Sequence, residues 1–235
     1  MESVSPTTQG IAVVIGATGG IGRALVQMIE STQHFSAVVA LSRSSVPSCE
    51  LTNEPSIAAS AAFIAERGTP RLIIDATGVL QNDSIKPEKS WRELDAAQMA
   101  RSFAINAIGP ALLMKHFLPQ LPKEGRAVFA TLSAKVGSIG DNRLGGWYSY
   151  RASKAALNQF VRTAAIELSR RAPNAICVAL HPGTVDTGLS AAFAKTGLDV
   201  QTPEQSAQRL LAVIGALKPA DSGGFFDYKG DAIPW

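Results

Sequence analysis

Ile11-Ala12-Val13-Val14-Ile15-Gly16-Ala17-Thr18-Gly19-Gly20-Ile21-Gly22 reads as a buried strand that runs straight into a glycine turn. Four of the five residues Ile11–Ile15 are Ile or Val, with no polar alternation. Such a strand is covered on both faces, as in a parallel sheet sandwiched between helices. Gly16, Gly20 and Gly22 supply the unusual backbone angles and the missing side chains that a tight strand-to-helix turn requires. The helix that follows presents free N–H groups and the positive end of its dipole. A pyrophosphate held by Gly16, Thr18, Gly20, Ile21 and Gly22 is therefore the predicted use of the turn. The spacing is Gly-x-x-x-Gly-x-Gly rather than the commoner Gly-x-Gly-x-x-Gly, and an ordinary Gly-rich βα turn is the alternative.

The same alternation continues outward. Ala37–Leu41, Arg71–Ile74, Ala127–Leu132, Ala175–Leu180 and Gly224–Tyr228 read as further short strands. Helices are predicted over Ile21–Glu30, Ile57–Glu66, Trp91–Phe103, Asn106–Leu118, Tyr150–Arg171 and Pro203–Leu217. Strand–helix alternation throughout predicts an α/β fold, a doubly wound, Rossmann-like parallel sheet in three α/β/α layers. The 235 residues suit one such domain covering 1–235. Ligands in these sheets bind beyond the carboxyl ends of the strands, so the chemistry is sought there.

Composition narrows the partners. With 46% hydrophobic and 17% charged residues, a filled core is expected and long disorder is not. The net charge of +3 comes without a Lys or Arg run, which argues against nucleic acid. Cys49 and Cys177 stand far apart in no metal-like or redox-like spacing, so inert thiols and no metal are expected. No apolar run reaches ~18 residues, and Met1–Gly10 lacks the layout of a signal peptide. A cytoplasmic protein with no membrane partner is the expectation.

Two further segments carry chemistry. The second strand ends in Leu41-Ser42-Arg43-Ser44, without the acidic residue that would hold ribose hydroxyls and repel a 2′-phosphate. Arg43 can instead pair with that phosphate, which favours NADP(H) over NAD(H); a solvated surface arginine is the alternative. Tyr150-Arg151-Ala152-Ser153-Lys154 opens the long helix, and residues four apart share a helix face. A lysine cation beside a phenol favours phenolate and is expected to lower its pKa. The pair can then move the proton of a carbonyl/alcohol interconversion while a dinucleotide carries hydride.

With the glycine turn and the Tyr-x-x-x-Lys pair both present, the sequence resembles the classical short-chain dehydrogenase/reductase family over nearly its whole length. Gly16, Gly20 and Gly22 match its cofactor glycines. Asp75-Ala76-Thr77-Gly78 stands where the family has Asn-Asn-Ala-Gly after a fourth strand, which puts Thr77 and Gly78 at the cofactor. By the resemblance, Asn106 helps hold the catalytic Lys and a proton-relay water. Tyr150 is the acid–base, and Lys154 its partner and a ribose ligand. Pro182-Gly183-Thr184-Val185-Asp186-Thr187 looks like the loop beside the nicotinamide carboxamide, implicating Pro182, Gly183, Val185 and Thr187. Glu50-Leu51-Thr52 resembles the adenine segment, implicating Glu50 and Leu51. Gly137–Asn142, Trp147–Lys154 and Gly224–Trp235 look like the C-factor-like branch, a cell-cell signalling type. The family also implies a homodimer or homotetramer.

One position departs from the pattern. The family serine that polarises the substrate carbonyl lies three residues before a glycine, and counting back from Gly137 lands on Ala134. Ser133, Ser138 or no serine fills the role, with Ser133 preferred; a one-residue offset puts Ser133 on the other strand face unless the backbone bulges. Asp75 in place of Asn is read as a tie between strands, and His181 as structural. The expected function is NADP(H)-dependent carbonyl reduction or alcohol oxidation of a small molecule, enclosed by a short loop at 188–202 carrying Phe193 and Leu198. The alternative is a dinucleotide-binding signalling protein with weak or no catalysis.

Overall fold

Short runs rich in Val, Ile and Leu pair side by side into one parallel sheet, because each run is apolar on both faces and needs cover on both. The computed structural model describes residues 10–186 and 200–235. Its strands are β1 (Ile11–Ile15), β2 (Val38–Leu41), β3 (Pro70–Asp75), β4 (Ala127–Leu132), β5 (Ala175–His181), β6 (Thr184–Val185), β7 (Val200–Gln201) and β8 (Phe225–Asp227). Its helices are α1 (Gly20–Thr32), α2 (Glu54–Ala65), α3 (Ala96–Phe103), α4 (Gly109–Phe117), α5 (Tyr148–Arg171) and α6 (Pro203–Ala216). The main sheet runs β2-β1-β3-β4-β5-β8, while β6 and β7 form a separate two-stranded pair.

Side chains alternate across this sheet into two cores. Val13, Ile73, Phe129 and Cys177 face α2, α4 and α5, and pack with Ile64, Phe117 and Leu157. Val14, Ile74, Val128 and Val178 face α1 and α6, and pack with Leu25, Leu210 and Ile214. The register aligns the strand ends, pairing Ile15 with Leu41 and Asp75, Asp75 with Thr131, and Leu132 with Leu180. The chain leaves β1 toward β2 and returns to β3, so the direction of winding reverses between β1 and β3. That reversal opens the crevice where doubly wound sheets bind ligands.

Two expectations are corrected. Residues 91–103 are not one helix: a 3₁₀ turn at Trp91–Glu93 ends at Leu94, and Asp95 starts α3 by accepting the Gln98 N–H at 2.7 Å. The helix expected at Asn106–Leu118 is divided, with a π-helical turn at Ala104–Ile108 leading into α4. Asp75–Gly78 follows the third strand, as the order of the predicted strands has it, whereas the family pattern has its motif after a fourth; residues 42–53 form turns and bends with no strand. Ser48 Oγ donates to Arg43 O at 2.8 Å and Cys49 N to Ser42 O at 2.8 Å, so these backbone groups are satisfied within the loop. No helix among the described residues is long and apolar enough to cross a membrane.

Candidate active site

The crevice begins at the glycine turn. Gly16 takes φ +82°, and a Cβ on Gly22 would lie 2.2 Å from Gly16 O, so neither position accepts a side chain without moving backbone. Gly19 precedes α1 with no side-chain cap, and the first turn of α1 holds no acidic residue. The leading N–H groups of α1 therefore face an open space. A cleft of about 310 Å³ lies there, bordered by Gly19–Gly22, Ala76–Gly78, Leu132, Ser133, Tyr150, Lys154 and Pro182. Thr18 is exposed beside it, and its carbonyl accepts from Arg23 at 3.4 Å.

Lys154 is 2% exposed and donates Nζ to Leu132 O at 2.8 Å. Its ammonium lies against Gly78, where a Cβ would stand 3.4 Å from both Lys154 Nζ and Asn106 Oδ1. Burial drives the Lys154 ammonium down to about 8, against the pull of Asp75, which favours the charged form. Asn106 sits in the π-helical turn and clamps Val79, the residue after Gly78, accepting from Val79 N at 2.8 Å and donating to Val79 O at 2.7 Å. Fully buried Asp75 accepts from Thr77 N at 3.0 Å and from Thr131 Oγ at 2.7 Å. It therefore ties β3 to β4 and fixes Thr77, as the strand-tie reading expects. Burial raises its carboxyl above the usual range despite these bonds.

Tyr150 corrects one expectation. Burial pushes its phenol up to about 12, the reverse of the lowering expected from Lys154. The physical reason is that desolvation penalises phenolate, while the Lys154 ammonium is turned to the Leu132 carbonyl. The phenol is protonated at neutral pH, as an unperturbed one also is, and the shift makes it a weaker acid, though an alkoxide is a stronger base still and can take its proton.

The start of α5 is held by a residue that the sequence reading missed. Glu88 is 2% exposed and accepts from Ser149 N at 3.1 Å, from the Ser149 hydroxyl and from Gln98 Nε2 at 3.0 Å. Burial alone would raise its carboxyl, but the bonds from Ser149 and Gln98 outweigh it and hold the carboxyl below the usual value. Glu88 O also accepts from Trp147 N at 2.5 Å, fixing Trp147 in the left-handed region at φ 52°. The indole then meets the Tyr150 ring edge-on at 6.3 Å. Glu88 lies 61 residues from Ser149, and no local spacing signals the contact.

Of the two serines, only Ser133 borders the cleft. Its N–H donates to Leu180 O at 2.8 Å, so the ladder continues without a bulge and Ser133 takes the α5 face. Its Oγ donates to Asn158 Oδ1 at 2.6 Å. Ser138 is buried in a different wall, accepting from Asp141 N at 3.0 Å. Arg43, Glu50 and Leu51 are not among the cleft residues. Arg43 is exposed just beyond β2 and makes no ion pair among the described residues. Glu50 accepts from Thr52 Oγ at 3.2 Å, and Leu51 is packed in the core. Pro182 O accepts from Ser206 Oγ at 3.0 Å, and Gly183 links it to β6, which carries Val185. Thr187 lies outside the described residues, as does 188–199 of the expected substrate loop, with Phe193 and Leu198. His181 is driven down to about 4 by burial and packs edge-on to Tyr228, as a neutral structural residue does.

The chain is similar to known proteins in sequence and fold. Residues 10–198 match the family model described as short chain dehydrogenase. The C-signal of Myxococcus xanthus is 40% identical over 144 residues, which are 61% of this chain and 82% of that protein. The 1-hydroxy-2-glutathionyl-2-methyl-3-butene dehydrogenase of a Rhodococcus species is 34% identical over 190 residues, 80% of this chain and 79% of that protein. The NADPH-bound carbonyl reductase from chicken fatty liver superposes with a TM-score of 0.83 at 27% identity, covering 97% of both chains.

Proposed function

The chain belongs to the short-chain dehydrogenase family of oxidoreductases, and from that premise we propose that it interconverts a carbonyl and an alcohol on a small molecule with NADP(H). The observation that carries this reading is the meeting of Tyr150 and Lys154 with the open glycine turn across one cleft. The cradle fits a dinucleotide: the N-terminus of α1 is uncapped, free of acid and too tight for a Cβ at Gly22. Gly16, Thr18, Gly20, Ile21 and Gly22 hold the pyrophosphate in this reading. Thr77 and Gly78 line the nucleotide's other side, and Lys154 takes its ribose. Pro182, Gly183 and Val185 receive the carboxamide, with Thr187 as an added contact, while Glu50 and Leu51 border the adenine. Arg43 supports NADP(H), since it is exposed beyond β2 with no acidic partner among the described residues, and the carbonyl reductase from chicken fatty liver binds NADPH.

When bound, the nicotinamide supplies or accepts hydride. The residues of this chain manage the proton. Tyr150, protonated at neutral pH as a phenol is, donates its hydroxyl proton to the carbonyl oxygen as reduction proceeds. In the oxidative direction the alcohol proton goes to Tyr150 phenolate. Lys154 stands one helical turn from Tyr150 on the same face of α5, and Asn106 keeps the Gly78–Val79 corner in place against it. Ser133 adds a hydroxyl at the carbonyl oxygen.

A second reading has its own observation. Ser133 gives its hydrogen to Asn158, and Ala134 stands at the position of the family serine. A chain with weak carbonyl polarisation would serve as a dinucleotide-binding signalling protein, a role that the name of the C-signal relative also suggests. Titration with NADPH and NADH, followed by a panel of aldehydes and ketones, separates the two. The enzyme reading expects NADPH preferred and oxidised with substrate. Tight binding without turnover across the panel favours signalling, and no binding of either nucleotide overturns both.

A further inference from the structure

Tyr150, Lys154 and Asn158 follow one another at intervals of four on α5, so they form one stripe along the helix. The first two face the cleft. The third touches the serine. Ser133 and Asn158 are 3% and 2% exposed, and their polar atoms stand 2.6 Å apart. With Asn158 Oδ1 toward Ser133, the serine hydrogen is committed to Asn158 and cannot reach a substrate. In the same orientation Asn158 Nδ2 is buried with no hydrogen-bond partner among the described residues. An amide nitrogen left this way loses two donors at once.

A half-turn of the amide about its Cβ–Cγ bond removes that conflict. Nδ2 then donates to Ser133 Oγ at the same separation, and the serine hydrogen is released. The group left unpaired is a carbonyl oxygen, which buried sites tolerate more readily than an unpaired N–H. Ser133 borders the cleft together with Tyr150 and Lys154, and a carbonyl oxygen receiving the Tyr150 proton would sit in that cleft.

We propose that Asn158 is a positioning residue: by presenting Nδ2 to Ser133 Oγ it makes the serine a hydrogen-bond donor to the substrate carbonyl. The inference rests on the carbonyl–alcohol reading above. It explains how Ser133 replaces the serine missing at Ala134, since the offset puts Ser133 on the α5 face, where Asn158 can orient it.

The test is a double-mutant cycle on the full chain with NADPH and 4-nitrobenzaldehyde, comparing wild type, Ser133→Ala, Asn158→Asp and the double variant. The ionised carboxylate that Asn158→Asp introduces only accepts, so it captures the serine hydrogen. Asn158→Asp is expected to lower kcat by about a hundredfold, the cost of losing one donor at a developing oxyanion, with NADPH affinity unchanged. Activity should return as pH falls, because a protonated carboxyl can again donate to Ser133 Oγ. Lys154 and Arg162, four residues either side of Asn158 on α5, are the charged groups of its stripe, and β4 carries none. In the Ser133→Ala background the same change is expected to cost nothing further. Asn158→Leu, similar in size and apolar, guards against misfolding: it should give an intermediate, pH-independent kcat that also vanishes as an effect without Ser133. The proposal is overturned if Asn158→Asp costs as much without Ser133 as with it, or if Ser133→Ala keeps full kcat. A wild type with no turnover fails the functional reading itself, and the positioning role with it.

Discussion

Helices α1 and α5 both start without a side-chain cap of their own, yet they are completed in opposite ways. At α1, Gly19 is extended, the first turn carries no acid, and the N–H groups open onto the cleft. At α5, the Glu88 carboxylate reaches in from a distant loop and takes the Ser149 N–H and hydroxyl. A helix N-terminus attracts negative charge in either case. Where the protein supplies the charge itself, the helix is anchored and Tyr150 is held in place. Where it leaves the end bare, the same attraction is available to a phosphate. One physical feature therefore serves structure at α5 and, in the proposed function, binding at α1.

The difference can be broken most severely at the open end. Gly22→Ala sets a Cβ 2.2 Å from Gly16 O, a clash with backbone that only movement of the turn relieves. It is expected to cost about 3 kcal/mol in urea unfolding and to weaken NADPH by more than about a hundredfold in a fluorescence titration. Between the two helix starts lies Lys154, whose native value of about 8 sits below its ordinary 10.5. Over that window the folded nucleotide-free protein binds fewer protons than the unfolded chain, so its stability rises with pH. Relative to Lys154→Met, wild type should gain about 3 kcal/mol between pH 8 and pH 10.5, read from urea midpoints. A constant difference would mean that Lys154 is not desolvated.

At the closed end, Glu88→Ala removes the anchor. A stability loss of about 2 kcal/mol is expected, with kcat falling more than NADPH affinity, because the helix start moves while the cradle does not. Equal losses in both would erase the distinction between the two helix starts. The smallest effect belongs to Arg43→Ala, which should weaken NADPH about tenfold and leave NADH unchanged.

What was legible in the sequence follows from range. The strands β1, β4 and β5 announce themselves as unbroken apolar runs, and the glycine turn and the Tyr150–Lys154 interval are local spacings. The start of α3 was also written locally, in Asp95 three residues before Gln98, a capping signal that periodicity over 91–103 concealed. Glu88 and Asn158 were not legible. Each acts through a partner 61 or 25 residues away, and neither sits at an interval that means anything until the chain is folded. The direction of the Tyr150 shift escapes a sequence reading for a related reason: spacing places a cation on the same helix face, but only burial and the pull of Leu132 O on Lys154 determine which effect wins.

The most direct test is Tyr150→Phe, assayed for NADPH-dependent carbonyl turnover beside an NADPH titration of the same preparation. Removal of one hydroxyl should abolish turnover and leave nucleotide affinity within about twofold, since the cradle at α1 is untouched. Full turnover in Tyr150→Phe would contradict the assignment of the proton to this phenol.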